Sequence, residues 1–199
     1  SLCFAYLPIM GVRTLQRTDG AVFFCTFTCW SWLPLIERTK AYDRIYNWMH
    51  IATGKGFSIL GYVIMPNHVH LLIHAPEGAS INALLANAKR FLAYDMLDRL
   101  HASGDQDLLT QLQAGLRPGD AQRGQRHRVF ATSSDIRECL DEPMLIQKLE
   151  YMHGNPVSDA WNLAENALDY PHSSAAFYAH GPGHPCPAPI VHYHMILHG

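Results

Sequence analysis

The chain has 199 residues, 48% of them hydrophobic and 11% aromatic, with 15 basic and 17 acidic side chains and a net charge of −2. That length suits one compact core with additions, and the charge is not that of a sequence-independent DNA binder. No apolar stretch approaches the ~20 residues of a membrane span, and the apolar start SLCFAYLPIM lacks a basic region and is interrupted by Pro8, so no signal peptide is expected.

Charge is unevenly spread: 14 of the 15 basic side chains precede residue 141. Five of them are arginines between residues 117 and 140. A local basic surface is therefore compatible with an acidic protein, although such clusters also occur as ordinary solvated loops. The five cysteines, Cys3, Cys25, Cys29, Cys139 and Cys186, are scattered, odd in number and without a C-x-x-C pair. That pattern argues against a disulfide framework and a zinc knuckle, and points to a reducing cytoplasm.

The elements follow in chain order. AVFFCTFTC (21–29) alternates and is rich in aromatic and β-branched residues, which predicts a strand with Phe23, Cys25, Phe27 and Cys29 on one side. Pro34 opens a helix running to about Ala52, ended by Gly54 and Gly56. Phe57 to Met65 reads as an apolar strand, Pro66-Asn67 as a turn, and His68 to His74 as its hairpin partner. Ser80 is a good N-cap for a helix from Ile81 to about Leu100, with Ile81, Leu84, Leu85, Ala88, Phe91, Leu92 and Met96 at helical spacing.

Residues 101–126 read as a flexible insertion with a short helix at most. Arg126 to Ala131 is expected to be a short strand, and Asp141-Glu142-Pro143 starts a helix that should stop near Gly154, before Pro156. A short helix is expected at Ser173 to Tyr178, followed by a Gly/Pro/His-rich tail over 181–199. Residues 1–180 are thus expected to form a single domain. The order predicts an α+β, ferredoxin-like antiparallel sheet with helices on one face, His68–His74 as a central strand, and an added helix after the fourth strand.

Two stretches carry chemistry. In MPNHVHLLIH (65–74), side chains two apart in a strand share a face, so His68 and His70 present two imidazoles together while Val69, Leu71 and Ile73 face the other way. This is half of a metal site on a rigid element, or else two histidines on a solvated face. In QKLEYMHGNPV (147–157), Tyr151 and Asn155 lie one helical turn apart. The phenol is a candidate nucleophile and the amide oxygen a candidate third ligand, parts that phosphoryl transfer needs. Phenols ionise near pH ~10, so such a nucleophile needs help from a cation or a base. Two imidazoles plus an amide oxygen suit Mn²⁺ or Mg²⁺.

Those two stretches, with AKRFLAY (88–94), WNLAENALDYP (161–171) and HSSAAFY (172–178), resemble the Y1 (IS200-like) transposases of the HUH superfamily, with the REP-associated tyrosine transposases the nearest branch. The resemblance spans Gly20 to Tyr178. It implies a ferredoxin-like palm, His68, His70 and Asn155 as ligands of Mg²⁺ or Mn²⁺, and Tyr151 as the nucleophile. By the same likeness the protein cleaves and rejoins single-stranded DNA bearing a hairpin through a 5′-phosphotyrosine, as a monomer or homodimer.

Other residues keep two readings. Lys89, Arg90, Arg123, Arg126 and Arg128 are DNA-contact candidates or a solvated face. Trp30 and Trp32 are candidate base-stacking residues or rim packing. Tyr94 and Tyr178 are expected to pack, His153 to be structural, and His74 to be an accessory ligand at most. His192-Tyr193-His194 reads as a surface loop. The competing functional classes are a non-catalytic nucleic-acid module on the same fold and a metal hydrolase that would tolerate loss of Tyr151.

Overall fold

The computed structural model describes residues 20–120, 122 and 124–198. Its elements are β1 (Gly20–Thr28), α1 (Leu35–Thr39), α2 (Tyr42–Thr53), β2 (Ser58–Ile64), β3 (His68–Pro76), α3 (Ile81–Ser103), α4 (Gln106–Ala114), β4 (Asp135–Cys139), α5 (Glu142–Gly154), α6 (Ala175–His180) and α7 (His194–Leu197). The strands form one antiparallel sheet in the order β2-β3-β1-β4, the ferredoxin-like arrangement, with β3 central.

Alternation along the strands divides the interior in two. Cys25 and Phe27 of β1 and Val69, Leu71 and Ile73 of β3 pack with α1, α2, α3 and α4 on one face. Val22 and Phe24 of β1 and Leu72 of β3 face the other way, where Leu145, Leu149 and Met152 of α5 cover them. Helices therefore lie on both faces, not one. The α5 helix is too short in apolar positions to stand alone, and its Leu/Met stripe finds the sheet face left bare by α1–α4.

Other expectations shift locally. The helix expected from Pro34 breaks in two because Lys40 adopts a left-handed conformation (φ 52°). The fourth strand is Asp135–Cys139, beyond the RHRVFA stretch, which contributes a single bridge between Phe130 and Cys29. Its sequence DIREC is polar because it is an edge strand whose residues are mostly exposed. The insertion contains α4, N-capped by Asp105. Phe91 and Tyr94 of α3 are 60% and 61% exposed, against the expectation that both pack.

The other sheet edge, β2, is covered by the chain's last quarter. Ile64 N donates to His172 O, and Ser174 N donates to Tyr62 O. Tyr170 and Tyr178 donate their hydroxyls to the carbonyls of Ile64 and Leu60. Further on, Val191 N donates to Ile59 O, and Tyr193 is buried in the α5-side core. The segment read as a surface loop is thus docked on the sheet.

Two features fix α5 against β2. A Cβ on Gly61 would come within 2.5 Å of Leu149 Cδ2, so the bare backbone admits the helix. His153, fully buried, meets Ser174 Oγ at 2.8 Å, and that hydroxyl also accepts from Tyr62 N at 2.9 Å. Gly61→Val is expected to destabilise the fold by about 1–3 kcal/mol, read as a lower urea midpoint at unchanged slope.

Burial pushes His153 down to about 3 from an ordinary 6.5. A buried neutral imidazole stabilises the fold fully above the unfolded value. That contribution is lost as pH falls toward the folded value, because only the unfolded chain takes up the proton. The urea midpoint is therefore expected to fall between pH 7 and pH 5.

Candidate active site

The site starts from the register of β1 on β3. Thr28 pairs with His68 and Thr26 with His70, so the side chains of each pair share a face. His68 and His70 are 4% and 5% exposed, their rings 4.7 Å apart between centroids. This contradicts the solvated-face reading and places both imidazoles under α5.

Each ring is held by its Nδ1. Asn67 donates its Nδ2 to the Trp32 carbonyl at 2.8 Å, which leaves its Oδ1 as an acceptor 2.7 Å from His68 Nδ1. His68 must then carry its proton on Nδ1, and Nε2 keeps a lone pair. Thr26 Oγ1 lies 2.7 Å from His70 Nδ1, and His70 Nε2 is buried without a hydrogen-bond partner. Desolvation lowers His68 to about 4 and His70 to about 3, the latter helped by His68 and Lys148. Both are therefore neutral at pH 7. A pair of neutral imidazoles with Nδ1 anchored and one buried Nε2 lacking a partner is the donor chemistry that a divalent cation requires.

The α5 helix brings the phenol to this pair. Asp141 caps it by accepting from Met144 N at 2.8 Å, and Pro143 sits in its first turn. The Tyr151 ring stands edge-on to His70 at 5.4 Å and to Phe24 at 6.1 Å, and Phe24 stacks on His70. Tyr151 is nevertheless 55% exposed, an aromatic left open to solvent beside two buried imidazoles. Lys148, one turn earlier, holds its amino group 5.3 Å over the Phe24 ring.

Asn155 continues from α5 as a short 3₁₀ turn in right-handed helical geometry, so it stays one turn beyond Tyr151. Gly154 itself is in right-handed helical geometry (φ −76°). The Asn155 Nδ2 donates to Tyr151 O at 3.1 Å, which leaves the amide oxygen as the candidate donor.

Two tryptophans flank His68. Trp32 is edge-on at 5.7 Å and 63% exposed, and Trp161 is tilted at 5.6 Å. Ser31 and Trp32 both have positive φ (54° and 57°), an uncommon conformation for such residues that the Asn67 bond helps to hold. Trp30 instead packs against Gly115 and the α1–α4 core.

Lys89, Arg90, Arg126 and Arg128 line one cleft of about 750 Å³ between α3 and the 124–132 segment, together with Arg117 and the exposed Tyr94. Lys89 is tied to the carbonyls of Ala131 and Thr132 at 2.9 and 3.0 Å, and Arg128 to Thr132 Oγ1 at 2.7 Å. Those two shape the cleft, whereas Arg90 and Arg126 are exposed. The cleft wall joins the sheet where Ala131 N donates to Thr28 O, and Thr28 is the cross-strand partner of His68. Arg123 lies outside the described residues.

His74 does not join the pair. It lies four residues beyond His70, about 13 Å along the strand, with its Nε2 packed where a Gly20 Cβ would be. Thr26, Asn67 and Lys148 are the neighbours of the candidate site that sequence reasoning missed. Asn67 was adjacent to the signal, whereas Thr26 required the β1–β3 register.

Residues 36–108 match the family model described as Transposase IS200 like. No curated protein sequence matches the chain. The structure of a REP-associated tyrosine transposase bound to a REP hairpin is similar with a TM-score of 0.56 and 16% identity, over 88% of this chain and 89% of that one. A candidate transposase from Deinococcus radiodurans R1, a crystal structure at 1.90 Å, gives 0.42 and 16% identity over 73% and 97%. Residues 36–108, which include both alternating histidines, thus match the IS200-like transposase model, and the chain shares its fold with a REP-associated tyrosine transposase.

Proposed function

We propose that this protein is a transposase that cuts and rejoins single-stranded DNA bearing a hairpin, with Tyr151 as nucleophile. The observation that supports this most is the convergence, within one chain, of the Tyr151 ring on His70 at 5.4 Å and of His70 on His68 at 4.7 Å. On this reading the phenol and both imidazoles come from the same chain, whether it acts as a monomer or as a homodimer. Residues 1–180 are the catalytic domain of this reading, and the cytoplasm is its compartment. No helix among the described residues is long and apolar enough to cross a membrane.

In the reaction, the Tyr151 oxygen bonds to phosphorus as the bond from phosphorus to the 3′ oxygen breaks. The phenol loses its proton and the departing 3′ oxygen gains one, leaving a 5′-phosphotyrosine and a free 3′-OH. The linkage keeps the energy of the phosphodiester, so a second 3′-OH can reverse the step without a nucleotide cofactor. His68 Nε2, His70 Nε2 and the Asn155 amide oxygen would hold Mg²⁺ or Mn²⁺. When bound, that ion neutralises charge developing on the phosphate. Thr26 and Asn67 orient the two imidazoles, and Lys148 adds a cation on the approach of the strand. Arg90 and Arg126 contact the phosphate backbone, with Tyr94 and Trp32 as stacking surfaces for unpaired bases.

Labelled hairpin oligonucleotides incubated with protein and Mn²⁺ should yield a covalent adduct on denaturing gels. Tyr151→Phe should lower adduct formation by at least about 10³-fold while shifting stability by no more than about 0.5 kcal/mol. An adduct that persists in Tyr151→Phe contradicts the reading, and retention of DNA without cleavage by the wild type favours a binding module. Thr26→Val and Asn67→Ala should each weaken Mn²⁺ affinity by roughly 10–100-fold, measured by titration calorimetry. Arg126→Ala should reduce affinity for single strands and flatten the salt dependence by a slope of about 0.7.

A further inference from the structure

A second group of ligand-type side chains lies at the opposite end of α5. Glu142, in the first turn of that helix, faces His194, the first residue of α7, and His198, the residue that caps α7 four positions on. One donor atom from each of the three falls within 4.8 Å of the others.

The distances are informative. His194 Nε2 is 3.5 Å from one Glu142 oxygen and His198 Nε2 is 3.7 Å from the other. Both exceed the ~2.7–2.9 Å of a charge-assisted hydrogen bond. They approach the roughly 3.3 Å that separates two donors bound tetrahedrally at ~2.0–2.1 Å from one zinc ion. Two histidines four apart, one opening a short helix and the other capping it, completed by a carboxylate from another element, make a donor set typical of zinc. The histidine rings are 5.5 Å apart between centroids, and the His192 ring lies 4.6 Å from that of His194.

The surroundings are built rather than loose. The Glu142 side chain is only 18% exposed. Tyr193, next to His194, is buried in the α5-side core with its phenol beside Glu142. The chain leading there is pinned to β2 through Val191. The cluster is separate from the histidine pair on β3, since Glu142 precedes Tyr151 by nine residues, about 13 Å of helix.

We propose that Glu142, His194 and His198 form a second metal site, selective for zinc, that fastens the C-terminal helix to the first turn of the tyrosine helix. Its fourth position is left for water. The ion would be structural, tying the last described helix to the element that carries Tyr151.

Zinc titration of the full chain carrying His68→Ala and His70→Ala tests this apart from the β3 pair. One Zn²⁺ per chain is expected, with a rise in Tm that a chelator reverses. Adding Glu142→Gln should weaken binding at least tenfold, and His194→Ala with His198→Ala should abolish both binding and the Tm rise. Co²⁺ in place of zinc should give the absorption of a tetrahedral ion. If the double-alanine background does not fold, the otherwise native chain decides: replacing His194 and His198 should remove one bound zinc. Zinc affinity unchanged by Glu142→Gln would mean adventitious binding by tail imidazoles and would overturn the proposal, as would the absence of saturable binding.

Discussion

The site depends on how closely α5 lies against the sheet. Gly61 removes the side chain that would hold the helix off, since a Cβ there would meet Leu149 at 2.5 Å. The buried contact of His153 with Ser174 then fixes the helix to β2 through the Tyr62 backbone. With α5 in that position, Tyr151 stands over His70 at the open edge of the packed layer. Tyr151 is thus positioned through the packing of Gly61, Leu149, His153 and Ser174. A change at Gly61 or Ser174 would therefore move the phenol without touching it.

The same packing sets the electrostatics. Covering β3 removes water from His68 and His70 and keeps both neutral, the form that offers lone pairs. Asn67 and Thr26 take the Nδ1 atoms, and Nε2 of His70 is left buried without a partner. A buried polar atom without a partner costs stability, and a bound cation would remove that cost. The negative net charge is not in conflict with a nucleic-acid surface, because the exposed Arg90, Arg117 and Arg126 gather around one cleft beside the His68 end of the sheet.

Much of this was legible in the sequence, for reasons that can be named. Alternation in AVFFCTFTC and MPNHVHLLIH assigned faces correctly, because both strands are buried on their two sides by different helices. The caps Ser80 and Asp141 marked helix starts, since each side chain accepts from a backbone N–H three residues on. What escaped was set by long-range contacts. The β4 strand is mostly polar and exposed because it is an edge, with Ile136 and Cys139 turned to the two packed layers, so no alternation marks it. Phe91 and Tyr94 fit a helical stripe but face solvent. The histidine-rich tail looked like loop because Gly and Pro dominate it, whereas Tyr193 and Val191 anchor it to α5 and β2. At the site, the histidines and tyrosine were visible as motifs. The contacts of Thr26 with His70 and of Lys148 with Phe24 emerged only from register and helix docking.

The most direct test of the account is a crystal grown with Mn²⁺ and a hairpin oligonucleotide on Tyr151→Phe protein, with anomalous scattering used to locate the ion. The account predicts an anomalous peak bonded to Nε2 of His68 and of His70, with one phosphate between it and the ring at position 151. A Mn²⁺ peak absent from that pair, or a DNA strand that runs past the pair with no phosphate facing residue 151, would contradict it.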